Sequence, residues 1–288
     1  MGQPLFSVIT VNRNNREGLL RTVKSVSSQR WRDLEFIVID GASTDGSADV
    51  LREHDRHISY WTSEPDRGIY QAMNKGIRKA AGRYLNFMNS GDRFYDDRVL
   101  ERVASYIMAG DAPEADIITG RDYHYDEGRG LGHASIQPVR LSMVTFFNAT
   151  LDHQSSFIRR ELFADSLYRE DLRLVSDWAF FLDKVVIEGR RVQFIPDIVC
   201  FREAGGITWQ QYDKNLRERD ACLHRLLPPG VYQDYATLSH LDKDSLYKLF
   251  VLCEQPRAVR WLTYCIKALY RLLKRTNYEE SHYHHPRL

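Results

Sequence analysis

Apolar positions in the first ninety residues recur with two alternating periods. Residues 6–11 form a short β-branched run of strand character, and residues 16–28 then place Leu19, Leu20, Val23 and Val26 at helical spacing. A second apolar run, 35–39, stops at the turn cluster Gly41-Ala42-Ser43-Thr44-Asp45-Gly46. Residues 58–62 predict a third strand, 69–80 a helix, and 84–89 a fourth strand that ends at Ser90-Gly91-Asp92. Strands alternating with helices predict an α/β fold with an open, mostly parallel, Rossmann-like sheet covered on both faces. Right-handed crossovers bring the C-terminal ends of its strands to one edge, where such sheets bind their ligands.

After Asp97 the pattern loosens. Residues 117–119, 155–158 and 191–195 read as strands, and 176–188 as a helix closed by Gly189 at the position after its end. From Trp209 the chain reads as helices. The expected division is a catalytic domain over 1–210 and a helical C-terminal region over 211–288.

Three acidic residues fall just past expected strands: Asp40 after the second, Asp66 in the loop after the third, and Asp92 after the fourth. A carboxylate there can accept a base N–H, take a ribose hydroxyl, or hold a divalent cation bridging two phosphates. One alone would read as turn chemistry. Three on one edge favour a ligand site. The chain contains no G-x-x-x-x-G-K-[ST] loop and no G-x-G-x-x-G after its first strand. Phosphate charge must then be met another way, which points to Mg²⁺ or Mn²⁺ with Asp92 as the protein ligand.

Composition adds limits rather than direction. The 288 residues carry a formal net charge of +1, so no general attraction for nucleic acid is expected. Cys200, Cys222, Cys253 and Cys265 lack metal-ligand spacing and read as buried thiols of a reducing compartment. Residues 1–11 lack the features of a secretory signal, and no uncharged run approaches the ~18 residues needed to span a bilayer. A cytoplasmic location is expected.

The runs Val8-Ile9-Thr10-Val11-Asn12 and Val38-Ile39-Asp40-Gly41-Ala42-Ser43-Thr44-Asp45-Gly46 resemble the opening of family 2 glycosyltransferases, which have the GT-A fold. The stretch Ser63-Glu64-Pro65-Asp66-Arg67-Gly68-Ile69-Tyr70-Gln71-Ala72-Met73-Asn74-Lys75-Gly76-Ile77, followed by Phe87-Met88-Asn89-Ser90-Gly91-Asp92, is similar to the bacterial branch that builds exopolysaccharide and O-antigen units, including colanic-acid-type enzymes. The resemblance covers residues 4–210. It implies that Thr10, Asn12 and Asp40 face the nucleoside and that the Asp66 loop lies against base and ribose. It also implies a metal motif at residues 89–92 that keeps only its last carboxylate. The implied reaction is inverting transfer from a nucleotide sugar, UDP by default, to a polyprenyl-diphosphate-linked saccharide.

Further along, Asp177 falls in the first turn of an expected helix, where the dipole favours a carboxylate. The pattern alone fits a capping residue equally well; the resemblance implies the catalytic base. His153 and Gln154 resemble a pair on the acceptor side, and Arg202 opens a segment, 202–208, that resembles a loop closing over donor and acceptor. Residues 257–275 carry seven apolar residues at helical spacing and six basic residues without an acidic one, as expected of a helix lying on an anionic membrane surface. Trp261, Tyr264 and Tyr270 suit its interfacial belt. The expected location is therefore peripheral, on the inner face of the cell membrane. Two other readings stay open: a nucleotidyltransferase, for which Asn12-Arg13-Asn14-Asn15 lacks the glycine-rich basic loop, and a decayed nucleotide-binding scaffold.

Overall fold

The structure, a computed structural model, describes residues 2–109, 115–138, 141–203, 211–240, 261 and 264–266. Strand β1 (Phe6–Asn12) is buried throughout its length and pairs in parallel with β2 (Leu34–Asp40) and β4 (Tyr84–Phe87). β3 (Tyr60–Ser63) extends this parallel half beyond β2. Alternation explains its burial. Phe6, Val8, Phe36 and Val38 enter one core, with α1 (Arg16–Ser27), α2 (Ser47–Glu53) and α4 (Val99–Met108). Ile9, Val11, Ile37 and Ile39 enter the other, with α3 (Ile69–Lys79). A strand covered on both faces carries apolar residues toward both, and the polar residues among them, Ser7, Thr10, Asn12 and Asp40, are themselves buried.

The second half of the sheet departs from the mostly parallel expectation. β8 (Ser156–Arg159) returns antiparallel beside β4, and β6 (Ile117–Asp126) runs antiparallel to β8 but parallel to β9 (Val192–Glu203). The strand order is β3-β2-β1-β4-β8-β6-β9-β5, where β5 is Arg93–Phe94, and β7 (Leu131–Ala134) pairs with β6 as a hairpin. β1 and β4 are neighbours although the chain first builds outward through β2 and β3. Their C-terminal ends therefore flank the point where the strand order reverses, the usual ligand crevice of an open sheet.

Strand β6 runs seven residues past the expected 117–119, through a polar and aromatic stretch that lacks the apolar run of its first residues. α5 (Met143–Asn148) and α6 (Ser176–Phe181) pack on the core that contains α3. The helix expected over 176–188 is split: a wider π-helical turn, Leu182–Ile187, follows α6, and Gly189 at φ +67° turns the chain out as expected. Of α7 (Tyr212–Leu226), Cys222 and Leu223 belong to the same core, and the first compact unit accordingly runs from Met1 to Tyr235, past the expected boundary at residue 210. It ends within α8 (Pro229–His240). Cys200 and Cys222 are free and buried, Cys265 is free but only partly buried, and Cys253 lies outside the described residues. The second unit spans Ala236–Leu288. In it Trp261 and residues 264–266 are helical, and most of the basic segment 257–275 lies outside the described residues, as does 204–210.

Candidate active site

The last residues of β1 and β2, Asn12 and Asp40, lie side by side in register. Asp40 is fully buried and accepts four hydrogen bonds. Oδ1 takes the Asn12 amide at 2.7 Å and the Ser43 hydroxyl at 2.5 Å, while Oδ2 takes the Ser43 N–H at 2.9 Å and the Ser63 hydroxyl at 2.6 Å. One carboxylate thus ties the ends of β1, β2 and β3 to the turn after β2. Thr10 is also fully buried and donates to the Met88 carbonyl at 2.6 Å. Thr10 and Asp40 are thus fully buried and hydrogen-bonded within the protein at the base of the crevice, and Asn12 is nearly as buried.

Asp66 sits nearer the rim. Its carboxylate accepts the Gly68 N–H at 3.0 Å and lies 4.0 Å from the Arg13 guanidinium. Gly41 makes this possible, since a Cβ there would run into Asp66 Oδ2.

From β4 the chain stays alongside β1: the Met88 N–H donates to Ile9 O and the Ser90 N–H to Val11 O. This carries Asp92 to the edge occupied by Asn12. Thr22 of α1 pins the loop, donating to Asp92 O at 2.6 Å and accepting the Gly91 N–H at 3.0 Å. Burial pushes the Asp92 carboxyl above its ordinary pKa, against the pull of Arg202, His153 and a hydrogen bond from Gln154. His153 and Gln154 belong to a short 3₁₀ turn before β8, which brings the expected pair to this centre.

Asp177, in the first turn of α6, is held by both oxygens. Tyr70 of α3 donates its hydroxyl to Oδ1 at 2.8 Å, and His153 Nδ1 lies 2.7 Å from Oδ2. Burial raises the carboxyl, but the hydrogen bonds from His153 and Tyr70 outweigh it and leave the pKa below the ordinary value. For His153 burial works against the charged ring, and Asp177 reverses the balance so that its pKa is raised. Nε2 of the same ring lies 3.1 Å from the Asn89 side-chain nitrogen.

Arg202 is a strand residue near the end of β9, not part of a loop. Its guanidinium lies 3.0 Å from Asp122 Oδ2 and 3.2 Å from Asp152 Oδ1. Burial opposes its charge, and Asp152, Asp122 and Asp92 together raise its pKa despite that. Asp122 itself is fully buried; burial, and Asp152 beside it, push its carboxyl up to about 8.

Tyr70, Asp122 and Asp152 are absent from the residues expected from sequence. Tyr70 falls within the expected helix, and its ring packs in the core there. The signal for Asp122 was present: Asp122, His124 and Asp126 alternate with Tyr123 and Tyr125, the period of a strand with one polar face.

Among the described residues no three His, Cys, Asp or Glu side chains are grouped to hold a metal ion. A single-carboxylate site still fits. Asp92 has its charge disfavoured by burial, which a cation would reverse, and diphosphate oxygens and water can complete the shell of Mg²⁺ or Mn²⁺. On the same loop Asn89 Oδ1 is buried without a hydrogen-bond partner.

A doubly covered α/β sheet, carboxylates at its switch point and a mixed second half describe the GT-A class of fold. Solved structures agree. A mannosyltransferase from Pyrobaculum calidifontis, determined with GDP-Man and Mn²⁺, superposes with a TM-score of 0.61 at 16% identity, over 96% of this chain and 89% of its own. Staphylococcus aureus TarS 1–349 in complex with UDP-GlcNAc gives 0.59 at 15% identity, over 81% and 71%. Residues 7–172 match Glycosyl transferase family 2, and the chain belongs to that family. It is 35% identical over 189 residues to the "Uncharacterized glycosyltransferase MT1564" of Mycobacterium tuberculosis, covering 64% of this chain and 70% of that one. It is 28% identical over 226 residues to a Mycobacterium bovis "PGL/p-HBAD biosynthesis glycosyltransferase", covering 76% and 85%. The chain is a glycosyltransferase.

Proposed function

We propose that this enzyme moves one sugar, with inversion, from a nucleoside diphosphate donor to a polyprenyl-diphosphate-linked saccharide during synthesis of a surface polysaccharide or glycolipid. The observation that carries the reading is the joining of Asp177 to the Asp92 loop through His153 in one partly buried cluster. UDP is the favoured nucleotide, supported by the UDP-GlcNAc complex of TarS, and the glycolipid relative supports a lipid-borne acceptor. An exopolysaccharide, O-antigen or colanic-acid-type product fits the same chemistry.

The reacting centre needs a base on one side of the anomeric carbon and a stabilised leaving group on the other. Asp177 removes the proton of the acceptor hydroxyl as its oxygen bonds to the anomeric carbon. The bond from that carbon to the diphosphate oxygen breaks, and its electron pair leaves with the nucleoside diphosphate. General-base help of this kind contributes about 10²–10⁴ in rate. A depressed pKa suits the role, since Asp177 stays ionised across the neutral range. A divalent cation on Asp92, when bound, supplies Lewis-acid stabilisation of the departing diphosphate. Arg202 adds fixed positive charge to the same centre, with Asp122 and Asp152 holding it in place. Asp66 and Asn12 bound the nucleoside side of the crevice.

No described helix is long and apolar enough to cross a membrane. Contact through residues 257–275 is supported by Trp261, Tyr264 and Ile266, which are helical and 69%, 75% and 57% exposed. Such rings and aliphatic chains suit a lipid interface while the basic residues meet anionic headgroups, which supports peripheral attachment to the inner face of the cell membrane.

A panel of UDP-, GDP- and dTDP-sugars with Mg²⁺ or Mn²⁺ tests the reading, by release of nucleoside diphosphate with and without lipid-linked acceptor. Asp177→Asn should bind nucleotide as the parent does and lose transfer by at least about 10²-fold. Full transfer by that variant would remove Asp177 from the role.

A further inference from the structure

Asp177 is contacted from two separate parts of the fold, and one of these contacts is backed from a third. Tyr70 comes from α3 and His153 from the 3₁₀ turn before β8, and Asn89, from the loop that leaves β4, contacts His153. The contacts form one line: Tyr70 Oη to Asp177 Oδ1, Asp177 Oδ2 to His153 Nδ1, His153 Nε2 to the Asn89 amide. Its far end is three residues from Asp92 on a loop already pinned by Thr22. Resting on the reading of Asp177 as base and Asp92 as the residue at the diphosphate, we propose that Tyr70, His153 and Asn89 are positioning residues. They fix the base by both oxygens and hold it in register with the loop that meets the leaving group.

A carboxylate on a six-residue helix has a free torsion about Cα–Cβ and another about Cβ–Cγ, and a base must point along one line toward the acceptor oxygen. Two donors from opposite sides stop both rotations. Each is itself immobile: Tyr70 is 5% exposed and packs on Tyr168, and the His153 ring is bonded at both nitrogens. Asn89 has a second use, because its Oδ1 has no partner. Turning the amide over would offer that oxygen to an Nε2–H, so Asn89 can hold His153 whether the ring is neutral or charged. The other titratable groups that act on Asp177 and His153 are Tyr168, Arg219 of α7, Asp92 and Arg202.

Replacements that copy one ring nitrogen at a time separate the two halves of the line. The amide of His153→Asn falls near Nδ1 and keeps a donor to Asp177 while losing Asn89. The amide of His153→Gln falls near Nε2 and does the reverse. Tyr70→Phe removes only the hydroxyl, and Asn89→Ala only the far link. In the full-length enzyme Tyr70→Phe and His153→Gln should lower kcat by about 10- to 100-fold, leave the donor KM near the parent value, and move the acidic limb of the kcat profile up by about one pH unit. The sign follows from the loss of a donor to the ionised carboxylate, which makes protonation easier. His153→Asn should lower kcat and move that limb less than His153→Gln does, because it keeps the donor and loses only the charge of the ring, and Asn89→Ala should lower kcat without moving it.

Nucleotide dissociation constants and melting temperatures of each variant accompany the kinetics, so that misfolding is seen directly. Folded Tyr70→Phe and His153→Gln with the parent's kcat and pH profile would overturn the proposal. So would His153→Asn moving the limb as far as His153→Gln. If the parent transfers no sugar, or Asp177→Asn is fully active, the underlying assignment fails instead, whatever these variants do.

Discussion

Asp40 offers a sharp test of how the crevice is built. Its carboxylate is fully buried and accepts two donors on each oxygen. Asp40→Ala leaves all four donors without it. The Ser43 and Ser63 hydroxyls can rotate toward other acceptors or water, and the Asn12 amide keeps a second acceptor in Ser43 Oγ at 3.2 Å, but the Ser43 N–H is fixed by the backbone. A hydrogen bond to a charged acceptor contributes about 1.5–3 kcal/mol, so the one that cannot be replaced puts the loss at about that value. That is a sizeable share of the ~5–15 kcal/mol by which domains are stable, and for a chain of this length corresponds to a fall in Tm of about 3–12 °C. Asp40→Asn should behave differently. Asn12 Oδ1 is buried and unpartnered, so turning the Asn12 amide over lets it accept from the new side-chain nitrogen placed where Asp40 Oδ1 was. The Ser43 hydroxyl can reverse likewise, and the remaining oxygen keeps the Ser43 N–H and Ser63. The cost of the Asn substitution should therefore stay near about 1 kcal/mol. Urea unfolding midpoints and thermal scans of both variants at neutral pH measure the difference. An Ala variant as stable as the parent, or an Asn variant as damaged as Ala, would refute the description of Asp40 as the hub of the strand ends.

Two further outcomes follow from burial and exposure. Asp122 has a folded pKa raised to about 8 from 3.8, so what it adds to stability is complete below its unfolded value and is lost as pH rises toward the folded one. Asp122→Asn should remove a slope of up to about 1.4 kcal/mol per pH unit between those limits and be the more stable protein at pH 9; a uniform loss of stability at every pH would instead mark an ionised pair with Arg202. Truncation after Glu254 removes Trp261, Tyr264, Ile266 and the basic residues around them, and should shift the protein from the membrane fraction to the supernatant, with binding to anionic vesicles falling in parallel. Continued sedimentation of the shortened chain with membranes would place the attachment on another surface.

What sequence alone determined is local or follows from a fixed handedness. The βα alternation of the first ninety residues is written in apolar periods that a doubly covered strand and a one-sided helix cannot avoid, so β1 to β4 and α1 and α3 were legible to within two residues at each end. Crossover chirality then put Asp40, Asp66 and Asp92 on one edge before any coordinate was known. Tertiary structure decided the rest, because it depends on contacts between residues up to about a hundred positions apart. Period cannot show how a buried carboxylate is partnered, and only packing gave Asp40 its four donors from β1, β3 and the turn after β2. The antiparallel return of β8 beside β4 placed His153 next to Asp177 and Asn89, and the extension of β6 and β9 beyond the core brought Asp122 under Arg202. Tyr70 carries an apolar ring that fits the helical stripe, and its hydroxyl acquires a role only where α3 and α6 meet.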